Sequence, residues 1–290
     1  MANKAPVARV FTSVKMAIVI NTVDEMNKNK SSSTSSSTPA SRPKSTMNKK
    51  DQDDLYSQPR EAISGFVFDD SVVKVFEDMI GRSVPGYTTL LSMLPVLANS
   101  FIQSNSRCYD LGCSLGAATL AIQQGVKQEG VEIIALDNST AMIEKCRALT
   151  SEHRSQAKVT VRLADICESD ISDASLVVMN FTLQFIQKDA RKSLVDRIYA
   201  GLNAGGAFVL SEKIKCTNPI EQNRLTTLHH EFKKANGYSD LEISQKRSAL
   251  ENVLIAETVE QHISRLKSAG FSEVLVWFQC FNFVSFVAIK

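Results

Sequence analysis

Residues 107–123 read RCYDLGCSLGAATLAIQ, and the fold turns on how that stretch is taken. A short apolar run closes on Asp110, Gly112 and Gly116 bracket Cys113, Ser114 and Leu115, and small residues follow at Ala117 and Ala118. The pattern predicts a strand, a tight glycine turn and the opening of a helix that can lie close on a sheet. Such a turn converges backbone N–H groups on a ligand.

The spacing, D-x-G-x-S-x-G, departs from the G-x-G-x-x-G dinucleotide fingerprint. It resembles motif I of the S-adenosylmethionine-dependent methyltransferase fold, with Ser114 where a middle glycine often sits. The same letters spell G-x-S-x-G, the nucleophile elbow of α/β-hydrolases, in which Ser114 would be the attacking hydroxyl. Both readings require strand, turn and helix, so the surroundings must decide. Val131–Leu136 is a buried-strand run that ends in Asp137. A carboxylate at the end of the second strand is placed to accept both ribose hydroxyls of an adenosine ligand. A hydrolase elbow has no use for it.

The rest of the chain keeps the rhythm. A third strand, Val159–Leu163, ends in Ala164-Asp165-Ile166, an acid to accept from an adenine amino group beside an aliphatic cover for the ring; the alternative is that Asp165 only caps a turn. A fourth strand, Leu176–Met179, ends at Asn180, and a fifth is expected over Ala207–Leu210 after Asn203-Ala-Gly-Gly206 stops a helix. Alternation of this kind implies a parallel sheet with right-handed crossovers and ligands at its carboxyl edge. Asp110, Asp137, Asp165 and Asn180 all stand at that edge. Two closing strands, Val274–Gln279 and Phe283–Ile289, are joined too tightly to be parallel. The expected class is therefore α/β: a class I methyltransferase-like, Rossmann-like sheet, mostly parallel with an antiparallel C-terminal strand and helices on both faces.

Charge narrows the ligand. Residues 1–50 hold nine Lys and Arg against two acidic residues, which leaves 24 basic and 29 acidic in the remainder. A mildly acidic body argues against direct nucleic-acid binding by the core. Six scattered cysteines and four histidines show no ligand spacing, which predicts a reduced, cytoplasmic, metal-free protein. No apolar run approaches the roughly 18–20 residues of a membrane span.

From Ser31 to Thr46, eleven of sixteen residues are Ser or Thr, too little apolar surface for a packed core. Before it, Val7, Val10, Phe11, Val14 and Ile18 fall at helical spacing beside Arg9 and Lys15, the pattern of an organellar transit peptide. The alternative, an unstructured tail or a true start at Met47, is preferred. Residues 1–54 are thus expected to be a disordered extension or an over-long start, and residues 55–290 the folded domain. Within it two helices precede the first strand: one capped by Asp69 and Asp70, the next over Thr88–Ile102 with Pro95 bending it. Tyr87, at the head of the second, reads as a packing aromatic. A helical insert at about 215–255 breaks the strand rhythm, as a lid or a dimer contact would. Most of its charges, among them Arg224, Lys233, Lys234, Lys246 and Arg247, read as a solvated face, and His229-His230 form no obvious pair.

Across about residues 55–290 the chain resembles the carboxy-S-adenosylmethionine synthase family of bacterial wobble-uridine modification. The stretches that carry the resemblance are MIGRSVPGY (79–87), YDLGCSLGAATLAI (109–122), NFTLQFI (180–186), LSEK (210–213), HHEFKKANGYSDLEISQKRSALENV (229–253) and WFQCFNF (277–283). It implies an S-adenosylmethionine site of Tyr87, the turn at Gly112, Cys113 and Ser114, Asp137 and Asn138 at the ribose, Asp165 and Ile166 at adenine, Asn180, and Arg247. In the family the matching arginine holds the carboxylate newly attached to the cofactor's methyl carbon and reaches the site of a partner protomer, so a homodimer is implied; a guanidinium fork suits that task. S-adenosylmethionine is then the substrate. Prephenate loses carbon dioxide and water to give phenylpyruvate, the sulfonium methyl is deprotonated to an ylide, and that carbon captures the carbon dioxide. A separate enzyme would pass the carboxymethyl group to hydroxyuridine in tRNA. The residues before Met47 lie outside the resemblance, and Ala204 stands where a proline often precedes the paired glycines. The alternatives are an ordinary methyltransferase, leaving S-adenosylhomocysteine, and a cofactor-binding protein without activity.

Overall fold

The strands that carry the site are buried on both faces, and their side chains sort by parity. In the computed structural model, which describes residues 52–60, 65–153 and 157–290, β1 (Arg107–Leu111) lies between β2 (Glu132–Asp137) and β4 (Ala174–Asn180), parallel to both. Tyr109, Leu111, Ile134, Leu136, Val177 and Met179 face one core, while Cys108, Ile133, Leu176 and Val178 face another. That period of two is the signature of a sheet covered on each side. Leu194, Val195 and Ile198 of α5 (Lys188–Gly201) and Leu266 of α8 (Val259–Ala269) fill the first core. Leu94 and Ala98 of α2 (Tyr87–Phe101) and Ala118, Ala121 and Ile122 of α3 (Ala117–Gly125) fill the second.

The seven strands run in the order β3-β2-β1-β4-β5-β7-β6, with β3 at Lys158–Leu163, β5 at Leu202–Lys213, β6 at Glu273–Cys280 and β7 at Phe283–Ile289. β7 is antiparallel to both β5 and β6. The expected class is observed. Strand order reverses between β1 and β4, the crevice where open α/β sheets bind ligands. The remaining helices are α1 (Asp70–Ser83), α4 (Thr140–Ser151), α6 (Pro219–Ala235) and α7 (Asp240–Leu250). Asp69 caps α1 by accepting from Ser71 and Val72 N–H, and Ser139 caps α4 through Met142 N–H. Ser239 with Glu242, and Thr258 with Gln261, form capping boxes on α7 and α8.

One expectation in the sheet changes. Asn203-Ala-Gly-Gly206 does not simply end a helix but is drawn into β5, which starts five residues early. Gly205 takes φ +73° and the pairing with β4 shifts between Ala174 and Leu176, a bulge that lets the strand begin at Leu202. α2 runs unbroken through Pro95. The described residues belong to one unit, Thr46–Lys290, and Asp53, ahead of the expected boundary, is buried with it. The transit-like segment, the Ser/Thr tract and Met47 lie outside the described residues.

Candidate functional site

The glycine turn is held by its backbone. Gly112 and Cys113 N–H both donate to Leu136 C=O at 2.8 and 2.9 Å, and Gly116 N–H donates to Cys113 C=O at 2.8 Å. Gly112 lies at φ +80° with Thr182 beneath it; a Cβ there would stand 2.3 Å from Thr182 Oγ1. Ser114 is left-handed too, at φ +49°, but its hydroxyl donates to Met142 Sδ at 3.3 Å rather than to a histidine. The nucleophile reading therefore lacks its base. A hydrogen bond with Cys146, then burial, push the Cys113 thiol far up, so it stays protonated.

The carboxyl ends of the strands line up as expected. Asp137 Oδ2 accepts from Ser114 N–H and Oδ1 from Ser139 N–H, both at 2.9 Å, which orients the carboxylate across the turn. Burial raises its pKa against those bonds. Asp165 Oδ1 accepts from Cys167 N–H at 2.8 Å, so it does cap a turn, yet it also lines the cavity with buried Ile166. Asn180 Oδ1 accepts from Ser211 Oγ at 2.8 Å, while its Nδ2 is buried with no partner. An orphaned donor of this kind at a cavity wall calls for a ligand acceptor. Phe181, next in the chain, is held at φ +58°, a strain that clusters at binding sites.

Two cavities of about 370 and 320 Å³ meet at Phe76, Ile80, Gly112, Ser114 and Asn180. Asp137, Asn138, Asp165 and Ile166 line the larger; Tyr87, Asp110 and Cys113 line the smaller. Burial pushes the Asp110 carboxyl up to about 6, against the 2.6 Å hydrogen bond from Thr119. Tyr87 does pack, its ring 6.4 Å from Phe181, and burial, then the Asp110 charge, raise its phenol. Nine of the ten candidate residues thus border one or other of two adjoining cavities. The tenth, Arg247 on α7, is exposed and lines neither cavity, although its charge reaches Lys213 and His230. The donors and acceptors present fit S-adenosylmethionine: a glycine turn, a ribose-side carboxylate, an adenine-side acid with an aliphatic cover, and an unpaired amide. Among the described residues no group of three His, Cys, Asp or Glu could hold a metal ion.

The insert supplies what the sequence reading missed. Lys233 on α6 and Lys246 on α7 are only 8% and 6% exposed, not a solvated face, and with Lys213 of β5 and His229 of α6 they line the larger cavity. Burial, then Lys246 and Lys213, push the Lys233 ammonium down to about 7. His229 is held at about 3 by burial and by Lys213 and Lys233; its Nε2–H donates to Ser83 C=O at 2.8 Å, so the ring is neutral. Asp53, buried at 2%, accepts from Tyr238 Oη and pairs with Lys246 at 3.3 Å. Helical spacing gave no signal, because the two buried positions of α6 are themselves polar: His229 and Lys233 share one face at i, i+4, where an apolar stripe would ordinarily stand.

A family model described as a methyltransferase domain matches residues 109–206. Among solved structures, human N-acetylserotonin methyltransferase in complex with SAM superposes with a TM-score of 0.52 at 15% identity, over 77% of this chain and 56% of that one. A possible exported protein from Bordetella parapertussis gives 0.54 at 16%, over 75% and 72%. Likeness at that identity shows the fold alone. Sequence relatives go further. The carboxy-S-adenosyl-L-methionine synthase of Photobacterium profundum is 52% identical over 239 residues, 82% of this chain and 98% of its own. That of Vibrio cholerae serotype O1 is 51% identical over 247 residues, 85% and 100%. The chain belongs to the carboxy-S-adenosyl-L-methionine synthase family.

Proposed function

We propose that this enzyme converts S-adenosyl-L-methionine and prephenate to carboxy-S-adenosyl-L-methionine and phenylpyruvate, and that a separate enzyme uses the product to build 5-carboxymethoxyuridine at the tRNA wobble position. The observation that carries the reading is the two-sided cavity: a nucleoside-shaped wall at Gly112, Asp137, Asp165 and Asn180 faces the same space as a cationic wall at Lys213, Lys233 and Lys246. A neutral methyl acceptor needs no such wall, whereas prephenate carries two carboxylates.

The chemistry closes on itself. Loss of the ring carboxyl as carbon dioxide sends an electron pair into the ring and expels the ring hydroxyl, which aromatises prephenate to phenylpyruvate. That hydroxide and a proton from the sulfonium methyl make one water, and the methyl carbon takes the carbon dioxide. No outside acid, base or oxidant is consumed. The chain's part is to bind both molecules side by side and to exclude water, so that the carbon dioxide meets the methyl carbon before it escapes. Phe68, Phe76, Phe181, Phe185 and Phe283 supply the apolar walls. In a homodimer Arg247 of each protomer would serve its partner's site, which accords with its exposure on the single chain.

Phenylpyruvate release from prephenate, followed with and without S-adenosylmethionine, tests the reading. Release that depends on the nucleoside supports it. Release independent of it, or conversion of S-adenosylmethionine to S-adenosylhomocysteine without prephenate, contradicts it and returns the protein to ordinary methyl transfer.

A further inference from the structure

We infer that Lys213, Lys233 and Lys246 form the seat for a small dicarboxylate within the larger cavity. The inference rests on the reading above that the opposite wall takes the nucleoside, and it assigns the place of the second substrate. Three separate elements, β5, α6 and α7, bring these side chains to one cavity wall. They come close enough for Lys233 to feel both of the others. Only Lys246 has a carboxylate partner, Asp53, and the nearest ion-pair geometry is 3.3 Å. Among the described residues neither Lys213 nor Lys233 forms an ion pair. His229 is neutral and adds no charge. Asp137 and Asp165 border the same cavity but are engaged by Ser114, Ser139 and Cys167 N–H.

Two cations, Lys233 buried and Lys213 half-buried, are thus left uncompensated at the cavity wall. A buried charge is costly unless it is paired, and a dianion supplies the two missing partners. The wall beside them selects its shape. The Phe283 ring lies 5.9 Å from Lys213 Nζ, 5.0 Å from the His229 ring and 5.8 Å from the Phe181 ring. An apolar face flanked by ammonium groups suits a ring that bears two carboxylates better than it suits a compact inorganic anion.

The test is calorimetric titration of prephenate, malonate and inorganic phosphate into the full-length protein loaded with S-adenosylhomocysteine. Wild type, Lys213→Met, Lys233→Met and Lys233→Arg are compared, with S-adenosylmethionine affinity measured in parallel. Each Met variant is expected to weaken prephenate about tenfold or more while S-adenosylmethionine affinity changes by less than about threefold, and Lys233→Arg is expected to recover part of the loss. Methionine keeps the stem and removes an unpaired charge from a buried or half-buried position, so these variants are expected to fold. Arginine keeps the charge and provides the second check. Prephenate binding unchanged in both Met variants would overturn the seat, as would a wild type that binds none of the three anions. Binding of malonate or phosphate but not prephenate, lost in Lys233→Met, would keep the seat and sink the prephenate reading.

Discussion

Lys233 carries its ammonium into a wall shared with Lys213, His229 and Lys246, and Asp53 is the one carboxylate whose field helps it. Its folded pKa, about 7, lies below the ordinary lysine value of 10.5. Between those two pH values the unfolded chain binds the extra proton, so stability rises with pH across the window, and below about 7 the full penalty of the buried charge is present. Lys233→Met is therefore expected to raise the melting temperature. The gain should be largest below pH 7 and fade towards pH 10; scanning calorimetry across that range checks it, and a uniform loss would contradict the burial of the charge. Asp137 makes the opposite kind of contribution. Asp137→Ala is expected to weaken S-adenosylmethionine by roughly 1.5–3 kcal/mol, about ten- to a hundredfold and more in dissociation constant, by loss of a charged acceptor. Equilibrium dialysis reads it directly. Arg247→Ala should leave that affinity within about threefold yet deplete the carboxylated product, which mass spectrometry of the bound nucleoside would reveal.

The glycine turn and the 180–186 segment work as one element. Gly112 has no room for a side chain above Thr182, and its positive φ adds to the cost, so Gly112→Ala is expected to displace Thr182 and the Asn180 edge beside it. Nucleoside binding should fall well over tenfold, with the protein still folded by circular dichroism. Arg191 pins the far side of the same wall. Fully buried, it donates to Ile186, Gln184 and Ile255 C=O and to Glu257 Oε2 at 2.5 Å, and thereby ties the 184–186 turn to the strap beside Leu254. Arg191→Met would leave Glu257 with Arg265 alone, and a destabilisation of about 3 kcal/mol is expected by denaturant unfolding. The turn was legible in the sequence because its glycines answer to local backbone geometry. The Arg191 network was not, since Ile255 and Glu257 lie 64 and 66 residues further along the chain and carry no spacing signal. The β5 bulge was missed for a related reason: paired glycines after a helix look like a stop, and only the neighbouring strand shows that they continue as one.

At the scale of the whole molecule, the strand-helix rhythm sufficed for the parallel sheet and the carboxyl-edge site, because buried strand runs and end-of-strand polar residues are printed in the chain, whereas the strand order had to come from the structure. Asp110, Asp137, Asp165 and Asn180 fall together for that reason alone. The insert was harder. Its composition is that of an exposed helical pair, and nothing local distinguishes Lys233 and Lys246, which turn inward, from Lys234 and Arg247, which stay in solvent; that difference is made by distant partners, Ser83 and Asp53 for Lys246, and Ser83 and Phe283 for His229 one turn before Lys233. The two halves of the site, one written in the sheet and one in the insert, meet only in three dimensions. Their joint purpose can be tested in a single reaction: prephenate labelled with heavy carbon in its ring carboxyl is incubated with the enzyme and S-adenosylmethionine, and the nucleoside product is weighed. A product heavier by one carboxyl group and carrying the label is the expected result; an unlabelled carboxyl group, or S-adenosylhomocysteine alone, would contradict it.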